Sequence, residues 1–218
     1  MAELWNNWWQ EIINFSLLGI ILAIFFKKKL FVPPALKIAG YLILATFVIE
    51  IIATYFSIRG INNLFIYHFF VVVELAFFAF FFRKIIEEKT LRLGICIAVF
   101  IFALVCLIFM KTIQPVSSYP SFSIMIKDAL VSTMAFIFFR EVLNNQKYTI
   151  LEREPLFWFV AGLIIYSIGS FFLEGIMKYA IKNNRPVANK LFYISMILSY
   201  IFRIFTIVGF LLVKRTTT

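Results

Sequence analysis

Charged residues are scarce in this sequence. Asp, Glu, Lys and Arg make up 15% of its 218 residues, whereas soluble domains average about a quarter. Hydrophobic residues reach 63%, and phenylalanine alone occupies 29 positions. A chain with so little charge cannot cover its surface with groups that water solvates well. These absences exclude an ordinary soluble domain, and we interpret the chain as an integral membrane protein.

Other absences exclude whole classes of chemistry. The sequence has a single histidine, which argues against a zinc site or a membrane hydrolase that activates metal-bound water. It has no Gly-rich phosphate loop and no Gly-x-Ser-x-Gly elbow. The last apolar run lacks the central lysine of a retinal pigment. We therefore predict no metal and no cofactor, assign no catalytic residue, and lean against an enzyme.

Long apolar runs are what the sequence has instead. Only helices and closed barrels satisfy the backbone inside hydrocarbon, and these runs are too long and too uniformly apolar for barrel strands. We predict an all-α polytopic membrane protein with one transmembrane domain over residues 1–218. The predicted seven transmembrane helices cover about 12–26, 36–56, 64–82, 91–110, 122–139, 156–176 and 191–213.

The first run does not resemble a cleaved signal peptide, because Glu3 and Glu11 precede it in place of basic residues. Trp5, Trp8 and Trp9 stand ahead of it as an expected interfacial aromatic belt.

The net charge of +10 is distributed unevenly between the two sides of the membrane. One side carries Lys27, Lys28, Lys29, Lys37, Arg83, Lys84, Lys89, Arg92, Arg140, Lys147, Arg153, Lys214 and Arg215; the other carries Arg59, Lys111, Lys178, Lys182, Arg185 and Lys190. The positive-inside rule predicts that the richer side is cytoplasmic, with the N-terminus out and the C-terminus in. We expect a bacterial inner membrane, membrane lipids as partners, and no nucleic acid.

Weak similarities relate the first three spans to the last three. Spans one and five end in IFFK and IFFR, spans two and six carry Glu50 and Glu174, and spans three and seven begin with NLF and KLF. These matches suggest a 3+1+3 parallel repeat with span four as a connector, a plan that some transporters use with the binding site between repeats. The alternative is coincidence in a chain so rich in Phe and Ile.

Several ionisable residues fall inside the spans, where a charge at the helix centre costs about 2.5–3.5 kcal/mol. With the predicted orientation, Glu74 and Arg203 lie near the midplane. The outer third then holds Glu50, His68, Lys127, Asp128 and Glu174. Because all of them share one half of the membrane, we predict a polar cavity that opens outward and closes below Glu74 and Arg203.

Helical phase narrows the set of candidate ligand-binding residues. Tyr67 and Glu74 share a face of span three, whereas His68 is displaced from Glu74 by about 120°. Span six presents Gly162, Tyr166 and Gly169 on one face, whose small residues permit close helix approach. Span seven presents a polar stripe that includes Ser195, Ser199 and Arg203. The candidate set is Glu50, Tyr67, His68, Glu74, Asp128, Tyr166, Ser199 and Arg203.

Each ionisable candidate also has a purely structural interpretation. Glu74 and Arg203 are matched in depth and opposite in charge, so they can form a structural ion pair. His68 can be a pH sensor or a hydrogen-bonded structural residue. We expect Lys127 to snorkel to the outer surface and, being about 100° from Asp128, not to pair with it. We expect Glu174 to be interfacial and wet.

These features favour a transporter-like protein whose outward-facing pocket binds a small polar or zwitterionic solute, or a lipid headgroup. One alternative is a membrane sensor or receptor that signals to a cytoplasmic partner. Others are an intramembrane lipid-modifying enzyme, or a channel or effector, which requires a homo-oligomer.

Overall fold

The computed structural model describes residues 2–144 and 151–214, with side chains from Trp9 onward. The basic residues Lys147 and Arg215, and the side chains of Trp5 and Trp8, lie outside this described part. Trp9, the described member of the expected aromatic belt, is exposed.

Seven α-helices in the described residues are long and apolar enough to cross a membrane, and no strand accompanies them, which confirms the all-α prediction. These helices fit an integral membrane protein. They are α1 (Ala2–Lys28), α2 (Pro34–Ile58), α3 (Leu64–Ile85), α4 (Lys89–Thr112), α5 (Ser121–Asn144), α6 (Pro155–Asn183) and α7 (Arg185–Leu212), with a 3₁₀ turn at Leu151–Arg153 before α6.

Local sequence signals set the helix ends. Pro34 and Pro155 occupy the first turns of α2 and α6, where the missing N–H costs nothing. Gly60 follows α2 with φ 69°, a left-handed conformation that ends a helix. The Asn184 side chain accepts a hydrogen bond from Val187 N at 3.2 Å and so caps α7. The helices extend beyond the predicted spans because polar residues continue the helix past the apolar run.

Six of the helices form a closed ring. Around it α1 packs on α2, α2 on α3, α3 on α5, α5 on α6, α6 on α7, and α7 returns to α1. Helix α4 lies outside this ring, against α3 and α5. Half of the large apolar side chains of α4, such as Phe100 and Ile108, are exposed on the outer surface. The ring, rather than the order of the helices along the chain, determines which side chains meet in the interior.

The two ends of the ring differ in chemistry. The start of α1 and the α2–α3, α4–α5 and α6–α7 loops lie at one end, which we call the N-terminal end. The opposite end is called the C-terminal end. Phenylalanines fill the interior toward the C-terminal end: Phe25 lies 5.7 Å from Phe210, and Phe81 lies 4.8 Å from Phe159, between ring centroids. All four are almost fully buried. We call this group, with Phe78, the phenylalanine plug, and it leaves space for polar groups only toward the N-terminal end.

Glycines of α6 bring it close to α7, as the small residues of that face predict. A Cβ built on Gly162 would lie 2.4 Å from Phe205 Cβ, and one on Gly169 would lie 2.5 Å from a methyl group of Leu198. The contact at Gly162 is with a Cβ, which cannot move without its backbone, so this position requires glycine for the observed helix separation. At Gly169 the Leu198 methyl group can rotate away, so a larger residue there needs only a side-chain shift.

We predict that Gly162→Ala lowers the free energy of unfolding by about 1–3 kcal/mol, because the added methyl group overpacks the α6–α7 contact. Thermal unfolding of the detergent-solubilised protein measures the effect. Gly19→Ala is the matched control: nothing lies within 4 Å of its built Cβ, and alanine favours a helix more than glycine does. Equal melting temperatures for Gly162→Ala and the parent protein would contradict the close α6–α7 approach.

Candidate functional site

A cavity of about 320 Å³ lies inside the ring, between the phenylalanine plug and the N-terminal end. Every ring helix contributes to its lining, and α4 contributes nothing. The polar lining consists of Glu50, Thr46, Tyr67, Glu74, Tyr119, Lys127, Tyr166, Glu174, Ser195, Ser199 and Arg203. The volume is near the lower limit for ligand pockets, about 300–1,000 Å³, so the cavity suits a small solute.

Most of the sequence-predicted site residues line this cavity. They are Glu50, Tyr67, Glu74, Tyr166, Ser199 and Arg203. His68 and Asp128 do not. His68 is 1% exposed and its Nε2 donates to the Ser118 carbonyl at 2.9 Å, in agreement with the structural interpretation of this residue and with its 120° displacement from Glu74.

The best-defined polar contact joins three charged side chains, which we call the central triad: Glu74, Lys127 and Asp128. Lys127 Nζ donates to Glu74 Oε2 at 2.8 Å and lies 3.0 Å from Asp128 Oδ1. The same ammonium lies 5.7 Å from the centroid of the Tyr166 ring, within cation–π range. The Lys127 ammonium on α5 is thus contacted by Glu74 of α3, by Asp128 of its own helix and by Tyr166 of α6.

Two expectations about Lys127 are therefore wrong. The lysine does not snorkel to the surface, since its side chain is 2% exposed, and it does pair with the adjacent Asp128. The 100° separation applies to the Cβ directions, whereas the flexible four-carbon stem of lysine can bend its ammonium back toward a neighbour. The buried Asp128 carboxylate and the partly buried Glu74 carboxylate compensate the cost of burying the ammonium, which is why it points inward.

The expected Glu74–Arg203 ion pair is also absent. Among residues 9–144 and 151–214, whose side chains are described, no carboxylate lies within 4.0 Å of the Arg203 guanidinium. Arg203 Nη1 instead donates to Asn14 Oδ1 on α1, a neutral partner. Glu74 forms its ion pair with Lys127 instead. Arg203 is mostly buried and faces the cavity with its charge uncompensated by direct contact.

The remaining two acidic groups of the lining are each held by a tyrosine. Tyr67 Oη lies 3.5 Å from Glu50 Oε2, and Tyr119 Oη donates to Glu174 Oε1 at 2.9 Å. Glu174 is 1% exposed, so the expectation that it is interfacial and wet is wrong. Its Oε2 is buried and accepts no hydrogen bond within the described part of the chain, which leaves it able to accept one from a solute.

Tyr119 belongs to the loop 113–120 between α4 and α5, which crosses the N-terminal end of the ring. Its ring lies 5.4 Å from that of Phe192 on α7. Burial and the neighbouring Glu174 carboxylate raise the pKa of Tyr119 well above its usual range, so the phenol keeps its proton as a donor.

Backbone carbonyls anchor this loop to three other parts of the ring. His68 bonds to Ser118 O, Asn62 Nδ2 donates to Ser117 O at 3.1 Å, and Lys178 Nζ donates to Ile113 O at 3.0 Å. These contacts come from α3, the α2–α3 loop and α6. The loop therefore covers one side of the cavity entrance, and Tyr119 is its only member in the cavity lining.

Sequence reasoning missed Lys127, Tyr119 and Glu174 as lining residues. Lys127 and Glu174 were recognised as intramembrane charges, but their environments were assigned wrongly. Tyr119 lies in a loop without periodicity, and no feature of the sequence indicates that it faces the cavity. Within the described residues, no group of three His, Cys, Asp or Glu side chains could hold a metal ion.

We predict that Lys127→Met lowers the free energy of unfolding by about 3–5 kcal/mol, because it leaves the buried Asp128 carboxylate and the partly buried Glu74 carboxylate without a counter-charge. The exposed Lys111→Met is the matched control. Adding Glu74→Gln and Asp128→Asn to Lys127→Met should restore much of the lost stability, because neutral amides then replace the two unpaired carboxylates. Thermal unfolding in detergent tests the series, and a triple variant no more stable than Lys127→Met would contradict the triad.

Comparisons with protein-family models, with curated proteins and with solved structures find no match to this chain. The function must therefore be argued from the chemistry of the cavity itself, since a seven-helix arrangement alone does not specify one.

Proposed function

We propose that this protein is a transporter-type membrane protein that binds a small zwitterionic solute in the ring cavity. The observation that carries the proposal is the separation of charges in the lining. Arg203 and Glu50 face the same space, yet no ion pair joins them. An intramembrane cation without a counter-ion in contact is costly, and a solute that carries both charges would relieve that cost.

The central triad supports the division of roles between these groups. Lys127 is saturated by Glu74 and Asp128, so it contributes structure rather than a binding charge. Arg203 can donate two parallel hydrogen bonds to a carboxylate or phosphate of the solute. The cationic end of the solute would then lie toward Glu50 and Glu174, whose carboxylates each retain acceptor capacity.

The arrangement of helices supports transport in particular. The cavity lies between α1–α3 and α5–α7, the two triplets of the proposed 3+1+3 repeat, and transporters built from repeats bind their solutes at such a boundary. The phenylalanine plug blocks one route out of the cavity, and the loop 113–120 partly covers the other. Alternating access would require these two barriers to open in turn.

Uptake into proteoliposomes tests the function. We expect saturable uptake of one or more zwitterions from a radiolabelled panel of amino acids and betaines, and none of simple amines or carboxylates. Glu50→Gln and Arg203→Gln should each reduce the uptake 10- to 100-fold, because a hydrogen bond to a charged group contributes about 1.5–3 kcal/mol.

The exposed Glu152→Gln and Arg185→Gln are matched controls, with the same substitutions outside the cavity. Unchanged uptake in both cavity variants would overturn the site. Solute binding by calorimetry without any uptake would favour the sensor hypothesis instead.

We further expect the Tyr119–Glu174 hydrogen bond to hold the entrance closed. In a background with Cys96 and Cys106 replaced by alanine, Tyr119→Phe should speed the modification of Ser195→Cys by a membrane-impermeant maleimide about fivefold, the factor for a bond of about 1 kcal/mol. Tyr179→Phe, at an exposed tyrosine of α6, is the control. Equal rates in both variants would show that this bond does not gate access.

A further inference from the structure

A second concave region lies on the outer surface of the ring, between α2 and α3. It is a groove of about 980 Å³ whose lining is apolar or aromatic, with Val48 and Ile52 of α2 facing Phe69 and Val73 of α3. An apolar surface is ordinary for a helix that faces lipid. A concave groove between two packed helices is a more specific feature, because it can hold one chain along a defined path.

The groove continues into a basic pocket near the C-terminal end. Tyr41 and Phe77 line both the groove and this pocket, whose volume is about 540 Å³. The basic pocket is further lined by Arg83, Lys84 and Arg92. No acidic side chain lines it among the described residues, although Glu87 and Glu88 lie in the neighbouring turn. One continuous site therefore joins an apolar trough to three cationic side chains.

The three cations are available for a ligand. Arg83 and Lys84 are exposed and make no hydrogen bond or ion pair within the described part of the chain. Arg92 is half-buried, and its Nε donates to the Ile86 carbonyl at 2.6 Å. That bond fixes the guanidinium plane while its two terminal nitrogens remain free to donate in parallel to a phosphate.

The dimensions suit a lipid. From Tyr41 to Phe56, both in the lining of the groove, α2 rises about 22 Å at 1.5 Å per residue. Half of the hydrocarbon core is about 15 Å thick, so an acyl chain that crosses one leaflet fits within the groove. The basic pocket lies at the end of α3, where the chain leaves the apolar region, and this is the depth of a headgroup.

We propose that this site binds an anionic phospholipid of the bilayer, with its phosphate held by Arg83, Lys84 and Arg92 and one acyl chain in the α2–α3 groove. Basic pockets beside transmembrane helices on the cytoplasmic side recognise such headgroups, and the charge asymmetry of the sequence predicts that this end is cytoplasmic. A second apolar helix in the groove would leave the three cations without a counter-charge. The site is separate from the ring cavity, and the proposal does not depend on solute binding there.

Native mass spectrometry of the detergent-solubilised full chain tests the site. The probes are phosphatidylglycerol and phosphatidylcholine with identical acyl chains, added in equal amounts. We expect selective retention of phosphatidylglycerol at one site per chain. The double variant Arg83→Gln/Lys84→Gln should weaken its binding about 30-fold, the factor for about 1 kcal/mol per basic residue. The matched double variant Lys182→Gln/Arg185→Gln removes two exposed charges at the other end and should leave retention unchanged.

A second variant tests the groove without changing any charge. Ala45 lines the groove, and Ala45→Trp should fill it and reduce phosphatidylglycerol retention at least tenfold, whereas Leu104→Trp on the exposed face of α4 should not. Inorganic phosphate at 10 mM should not displace the lipid. Equal retention of the two lipids, no effect of either site variant, displacement by phosphate, or a dimer that Ala45→Trp dissociates would each overturn the proposal.

Discussion

The burial of the Lys127 ammonium is the constraint on which the rest of this structure depends. An isolated charge in hydrocarbon is too costly to keep, so Lys127 must bring acids with it, and its acids are Glu74 on α3 and Asp128 on its own helix. Satisfying this one charge ties α5 to α3, and the Tyr166 ring extends the contact to α6. With α3 and α5 in direct contact, α4 has no place in the ring and packs outside it. The position of the cavity and the set of helices that line it follow from this pairing.

The depth of the cavity follows from the division of the interior between polar and aromatic side chains. Toward the C-terminal end, buried phenylalanines such as Phe81 and Phe159 fill the interior of the ring with aromatic contacts. Toward the N-terminal end, the same helices present carboxylates, tyrosines and Arg203, which cannot pack as closely because each keeps its polar atoms near a partner. Open volume is therefore confined to one half of the bundle. A one-sided cavity of this kind can be reached from one face only until the plug rearranges.

The sequence was sufficient to predict the helices and the end of the bundle that holds the polar groups, because both depend on composition and on position along each span. Helical phase, a local property, also displaces His68 from the face of Glu74, although it does not by itself remove His68 from the candidate set. The sequence could not predict which polar side chains pair with each other. Whether Glu74 meets Lys127 or Arg203 depends on the order of helices around the ring, and that order is set by packing between distant segments. Glu174 illustrates the same difficulty, because its partner Tyr119 comes from a loop that carries no periodic signal.

Two of the polar contacts between the helix triplets give the cavity a direction. Across the α3–α5 boundary an acid on α3 meets a base on α5, and across the α7–α1 boundary a base on α7, Arg203, meets the neutral amide of Asn14. If the proposed 3+1+3 repeat relates α3 to α7 and α5 to α1, these contacts occupy corresponding places but differ in charge. The first boundary holds one cation and two carboxylates in direct contact, whereas Arg203 at the second has Glu50 and Glu11 as acidic neighbours without an ion pair. A ring with such unequal boundaries would favour one orientation of a zwitterion, with the anionic end toward α7 and the cationic end toward the carboxylates of α2 and α6. Under this hypothesis, the different side chains of the two triplets would give a bound zwitterion one preferred orientation, which a symmetric ring could not do.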